Sequence, residues 1–301
     1  MWISDRVVAH LRDVASWPAL PEGRYRIVRP VGAGGMGRVY VARDERLGRD
    51  VAIKVSHAPV AGTELDVRLQ REALLLADLE HPGIVPVHDV GVLDDGRLFY
   101  VMKRVEGRSL AEHVATLTSE SDVLSVFERV AEPIAFAHAR GIVHRDVTPS
   151  NVMIGSFGEV LVLDWGAARR LDDEEAAGTR IGTPGFMAPE QADGRAAEIT
   201  RASDVFALGA LLSWMLAESH VKSPKRLRAI ADKCQAVAPA DRYVDAAHVV
   251  RDLARYRSGL AVEASPETAW DRCSRWFVKY RTFILLIAAY LAMRAILAWA
   301  R

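Results

Sequence analysis

The chain holds only two cysteines in 301 residues, Cys234 and Cys273. Two isolated thiols cannot form a disulfide framework, which fits a reducing compartment. It also lacks an excess of charge of either sign: 39 basic residues balance 39 acidic ones, so bulk charge offers nothing to a nucleic-acid partner. Internal repeats and low-complexity tracts are missing as well, which sets aside solenoids and extended disordered segments. No secretory leader is expected, because Asp5, Arg6, His10, Arg12 and Asp13 interrupt the apolar run it would need. Trp2 to Trp17 reads instead as a short amphipathic helix that packs on the domain. The length allows one large domain or two modest ones.

What is present divides into a sheet-rich first third and a helical remainder. Alternating apolar residues predict strands at Tyr25–Arg29, Val39–Ala42 and Val51–Val55, joined by polar turns as in an antiparallel sheet. Leucines at helical spacing predict a helix over Leu65–Leu79, and two more strands follow at Ile84–Val90 and Arg97–Val105. Beyond Gly107 the pattern predicts helices at Ser109–Leu117, Ser121–Arg140, Ser203–Leu216, Lys225–Val237 and Tyr243–Ser258. Val160–Leu163 reads as a strand that delivers Asp164 at its end.

Three strings carry the chemistry. Gly32-Ala33-Gly34-Gly35-Met36-Gly37 has glycines at the spacing that lets backbone N–H groups approach phosphates. The string alone is weak, but its last glycine leads into a strand at Val39 and not into a helix, which disfavours a dinucleotide fold. Lys54 sits in an apolar strand where its ammonium needs an anionic partner, and Glu72 on the following helix can supply one. His144-Arg145-Asp146-Val147-Thr148-Pro149-Ser150-Asn151 is followed thirteen residues later by Asp164-Trp165-Gly166. That spacing sets a base, an amide and a second carboxylate where metal-bound phosphates and a hydroxyl would meet.

Together with Ala188-Pro189-Glu190, these strings make residues 25–258 resemble the eukaryotic-type protein kinases, and most closely the bacterial serine/threonine kinases. The resemblance implies an α+β bilobal fold: an antiparallel-sheet lobe with one helix to about residue 104, then a helical lobe over 105–258. It implies transfer of the γ-phosphoryl group of ATP to serine or threonine hydroxyls of proteins, with Mg²⁺, or Mn²⁺ in its place. Asp146 takes the position of the catalytic base, Asn151 and Asp164 those of the metal ligands, and Lys54 held by Glu72 that of the phosphate clamp. Val39 and Ala52 would roof the adenine, Met102 would guard its back, and Lys103 to Val105 would bond its edge. Arg242 is expected to pair with Glu190, and Trp165, standing for the usual phenylalanine, to pack beneath the Glu72 helix.

Two departures bear on activity. Thr148 stands where serine/threonine kinases usually carry lysine, removing one positive charge from the transferred phosphate. From Asp204 to Arg242 is only 38 residues, too short for the helix and loop that commonly dock substrates. Both features keep a weakly active or inactive nucleotide-binding scaffold as the alternative. Thr179 is the candidate for autophosphorylation in trans within a dimer, with Arg145 as the pairing cation.

The chain ends in an apolar run over 283–300, about the roughly 20 residues a bilayer needs. Its eight Leu, Ile and Phe residues, at about −0.3 to −0.6 kcal/mol each, nearly offset Arg294 at about 2.5 to 3.5 kcal/mol. Within 259–282, Arg272, Arg275, Lys279 and Arg281 interleave with Trp270, Trp276, Phe277 and Tyr280, which places the kinase domain on the cytoplasmic side of a single-pass anchor. Residues 1–24 form an N-terminal extension, and with only Arg301 after the run no external domain is expected.

Overall fold

A computed structural model describes residues 17–20, 23–33, 37–57, 63–173 and 181–265, together with Tyr280, Arg281, Phe283, Leu286, Ile287, Tyr290 and Met293. The expected N-terminal helix falls outside these residues except for Trp17, which packs with Leu20 on the upper core of the first lobe.

That lobe is a five-stranded antiparallel sheet in the order β1-β2-β3-β5-β4: β1 (Tyr25–Ala33), β2 (Gly37–Asp44), β3 (Arg49–Ser56), β4 (Val87–Val92) and β5 (Leu98–Lys103). The two-residue period of a strand splits β3. Val51, Ile53 and Val55 join Tyr40, Phe99 and Val101 in the upper core, while Ala52 and Lys54 point to the opposite face. Helix α1 (Glu64–Asp78) lies under that face and buries Leu69, Glu72, Ala73 and Leu76, one stripe at i, i+3, i+4 and i+7. The expected strand from Ile84 starts only at Val87, because Pro86 has no N–H to donate to a ladder. Ile84 instead bridges to Val162, stitching the two lobes together.

The second lobe is built on helix α5 (Arg201–Glu218), apolar on nearly every side and central for that reason. Around it lie α3 (Glu120–Ala139), α6 (Lys225–Cys234) and α7 (Ala246–Arg257). The helix expected over Ser109–Leu117 is shorter: β6 (Gly107–Ser109) takes its start and α2 (Leu110–His113) gives way to a 3₁₀ turn. Between α5 and α6 only residues 219–224 intervene, with no helix among them. Gly209 lets α5 and α6 approach closely, since a Cβ there would lie 2.4 Å from that of Cys234.

Short strands β7 (Ile142–Val143), β8 (Val152–Gly155), β9 (Val160–Val162) and β10 (Arg169–Arg170) carry the connecting loops toward the interlobe cleft. After them comes the one-turn helix α4 (Pro189–Ala192), whose Glu190 is fully buried. Arg242 grips that carboxylate with two bonds of 2.8 and 2.9 Å, and Ser203 Oγ adds a third of 2.7 Å. Burial alone would raise the Glu190 pKa, but these donors outweigh it and hold the carboxyl below its usual range.

Glu190→Ala leaves the Arg242 guanidinium buried without its counter-ion and is expected to cost about 3–5 kcal/mol, read as a lower urea midpoint. Because the folded pKa of Glu190 is depressed, this contribution is complete above the ordinary carboxylate pKa and is lost as pH falls through the folded value. The gap between wild type and Glu190→Ala should therefore narrow in acid.

Candidate active site

The interlobe cleft is a cavity of about 390 Å³ that continues into a second of about 460 Å³. Its roof is Val31 and Val39, its floor Leu163, and Met102 stands at the back of both. Ala52, Lys103 and Val105 line the second cavity with Met153, while Gly32, Ala33 and Gly37 edge the first. Gly37 is required by space: a Cβ would sit 2.3 Å from the Val55 carbonyl oxygen. Gly34, Gly35 and Met36 lie outside the described residues, as does Thr179.

Lys54 Nζ donates to both Glu72 carboxylate oxygens at 2.8 Å and to Asp164 Oδ1 at 3.3 Å. Burial opposes the lysine charge, yet the two carboxylates more than compensate and raise its pKa, so the ammonium is kept. Burial likewise works against the charge of Asp164, but Lys54 beside it holds that carboxyl below its usual range. Tyr100 pairs with Lys54 across the β3–β5 ladder, and its hydroxyl donates to Glu72 Oε1 at 2.9 Å. Nothing in the sequence singled out Tyr100, because an apolar strand position carries no hint of what lies beneath it. Burial pushes its phenol well up, so it remains a donor.

Asp146 and Asn151 line neither cavity; Asp146 Oδ2 accepts from Asn151 Nδ2 at 3.0 Å and Oδ1 from the Thr183 hydroxyl at 2.7 Å. The Asn151 carbonyl accepts from Leu163 N at 2.7 Å, so its backbone is bonded to the residue before Asp164. Asp164 itself adopts φ 53° and Arg145 φ 69°, left-handed conformations that cost a non-glycine residue about 1–3 kcal/mol each. Asp204, fully buried, holds one of them by accepting from His144 N at 2.8 Å and Arg145 N at 2.7 Å. His138 Nδ1 accepts from Ala246 N, so its Nε2–H is the donor to Asp204 at 2.8 Å. Trp165 is 1% exposed, packed in one core with Leu69 and Leu76 of α1. Its indole N–H donates to Val162 O at 3.3 Å, and its ring meets His144 edge-on at 4.6 Å.

Thr148 is buried and uncharged, and its carbonyl receives Asn151 N at 3.1 Å. Asp164, with its side chain 54% exposed, and the neighbouring Asn151 amide offer hard oxygen donors beside a lysine, a set that suits a magnesium–phosphate group. An antiparallel-sheet lobe, a helical lobe and a cleft with one ammonium between two carboxylates define a nucleotide-handling phosphotransferase type of site.

The sequence matches the protein kinase domain over residues 25–252, and the chain belongs to that family. It is 34% identical over 304 residues to the serine/threonine-protein kinase PknD of Chlamydia caviae, covering 85% of this chain and 32% of that protein. With PknD of Chlamydia trachomatis serovar D it shares 31% identity over 78% of this chain. The crystal structure of the Mycobacterium tuberculosis PknI kinase domain superposes with a TM-score of 0.61 at 29% identity, covering 80% of this chain and all of that domain. The chain thus spans about a third of the length of the curated relatives it matches.

Tyr100→Phe removes a buried hydrogen bond to a charged carboxylate and is expected to lower stability by about 1.5–3 kcal/mol, measured by chemical denaturation. A loss below about 0.5 kcal/mol would mean that Lys54 alone satisfies Glu72.

Proposed function

We propose that the chain transfers the γ-phosphoryl group of ATP to serine or threonine hydroxyls of proteins. The observation that carries this reading is the Lys54 ammonium held between Glu72 and Asp164, with Asn151 bonded to Asp146 by its side chain and to Leu163, the residue before Asp164, by its backbone. In this role Lys54 draws the α- and β-phosphate oxygens into register, and Glu72 keeps the ammonium from collapsing elsewhere. Asp146 orients the attacking hydroxyl and takes its proton as the new P–O bond forms and the bond to the leaving oxygen of ADP breaks. The Thr183 hydroxyl, 2.7 Å from Asp146 Oδ1, illustrates that this carboxylate oxygen receives a hydroxyl at bonding distance. Asn151 and Asp164 are the residues that would hold Mg²⁺, which when bound neutralises phosphate charge.

A second reading is favoured by Thr148, buried and uncharged where a cation would meet the transferred phosphate. It makes the chain a slow kinase or a nucleotide-binding scaffold that recruits partners. Both readings keep the adenine site between Val39, Ala52, Met102 and the Lys103–Val105 connector. An assay with radiolabelled ATP, purified full-length chain and a generic protein acceptor separates them. Asp146→Asn is expected to lower incorporation about 10²- to 10⁴-fold. A wild-type signal no higher than that of Asp146→Asn would leave the scaffold.

The 283–300 run is the proposed single-pass anchor, with the kinase domain on the cytoplasmic side. Among the described residues no helix is long and apolar enough to cross a membrane, and most of this run lies outside them. What supports the reading is the apolar sequence and the helical backbone with exposed side chains at Phe283, Leu286, Ile287, Tyr290 and Met293. Under alkaline carbonate the full chain is expected to stay with the membrane pellet; release into the supernatant would mean that the run does not span.

A further inference from the structure

The helical lobe carries a second surface that the cleft does not use. At the turn between β8 and β9, Phe157 is 97% exposed. The turn is braced: Arg129 Nη1 donates to Gly158 O at 2.7 Å, Phe157 N to Glu159 Oε2 at 3.0 Å, and Ser156 N to Glu106 O at 3.0 Å. A ring held out so firmly adds nothing to the core and leaves its apolar area in water.

From Arg129 the surface runs on across α3. Its neighbour Glu128 accepts from Arg257 at the end of α7 at 2.5 Å, and Glu120 accepts from Tyr256 at 2.7 Å. Arg226, at the start of α6, borders the same hollow as Tyr256 and Arg257. Residues 220–260 hold nine Lys and Arg against four Asp, in a chain that is neutral as a whole. Lys222, Lys225, Arg228 and Arg255 are exposed and make no ion pair among the described residues. Leu260, beside them in sequence, is 54% exposed.

The end of the described lobe is bonded to this same helix pair. Asp252 on α7 accepts from Glu263 N at 2.6 Å, Ala264 N at 3.1 Å and the Tyr243 hydroxyl at 2.6 Å, and Lys233 on α6 pairs with Glu263 at 2.6 Å. Residues 263 and 264 are thus fastened to α6 and α7.

We propose that Phe157 and the cations of α6 and α7 form a face that rests on an anionic lipid surface. Unpaired cations spread over two helices suit the charge of a leaflet rich in anionic headgroups, and an exposed aromatic ring on the turn bonded to α3 suits its interfacial polarity. Tethering and headgroup contact would then act together, the tail supplying a high effective concentration for a face that binds weakly alone. The proposal rests on the anchor reading above, and the experiment separates the two.

The full chain carrying Phe157→Cys in a Cys273→Ser background is labelled with an environment-sensitive dye, Cys234 being buried. It is added to phosphatidylcholine vesicles, with or without phosphatidylglycerol, that contain a nitroxide-lipid quencher. Carbonate resistance reads the anchor and dye quenching reads the face. The expected result is quenching on anionic vesicles only, lost in the triple variant Lys225→Glu, Arg228→Glu, Arg255→Glu, whose thermal midpoint stays that of the parent. Resistant insertion without quenching on anionic vesicles overturns the face and leaves the anchor. Quenching without resistant insertion upholds the face and removes the anchor. Equal quenching on neutral and anionic vesicles, or quenching that survives the triple variant, overturns the role assigned to the cations.

Discussion

The loop that carries Asp146 is held by one buried carboxylate. Asp204 accepts from the backbone N–H groups of His144 and Arg145 and from the His138 ring, with no exposure to water. Desolvation alone would raise its pKa, yet the donors around it bring the carboxyl below its usual range, so the charge is kept inside the lobe. Two N–H groups drawn to one carboxylate oppose the cost of the left-handed turn at Arg145 and thereby set where Asp146 begins. The bond from Ala246 N to His138 extends the same network to α7.

The rest of the cleft hangs on that anchor by contact. His144 meets Trp165 edge to face, and its Nε2 bonds Leu163 O at 3.2 Å, next to Asp164. Trp165 packs in the core shared with Leu76 of α1, the helix that presents Glu72 to Lys54. The Asp146 loop, Asp164 and the Lys54–Glu72 pair therefore form one packed column through both lobes. A close-packed interior transmits displacement, so a shift of α1 would be felt at Asp164.

Much of this was legible along the chain. Lys54, Glu72, Asp146, Asn151 and Asp164 stand in recognisable strings, and strand alternation in β3 already places Lys54 on the face opposite Val51, Ile53 and Val55. Element ends were less legible where a single residue decided them. Pro86 delays β4 and Ser109 caps α2 early, and both effects are local chemistry overruling an apolar period. Tyr100 was silent, and Asp204 marked only the start of a short span: each lies far in sequence from the group it holds, and separation along the chain carries no record of such a bond.

By itself, the sequence determined the lobes, the order of motifs and the residue types able to handle phosphate, because spacing within a strand or loop is a local property. It also determined that residue 148 carries no charge and that the segment after α5 is brief. Tertiary structure alone decided that Asp164 joins Glu72 on Lys54, that Thr183 and Asn151 share the two oxygens of Asp146, and that Arg129 and Glu128 of α3 bond the β8–β9 turn and the end of α7. Those relations depend on how segments distant in sequence pack in space, and the identity of any residue taken alone does not contain them.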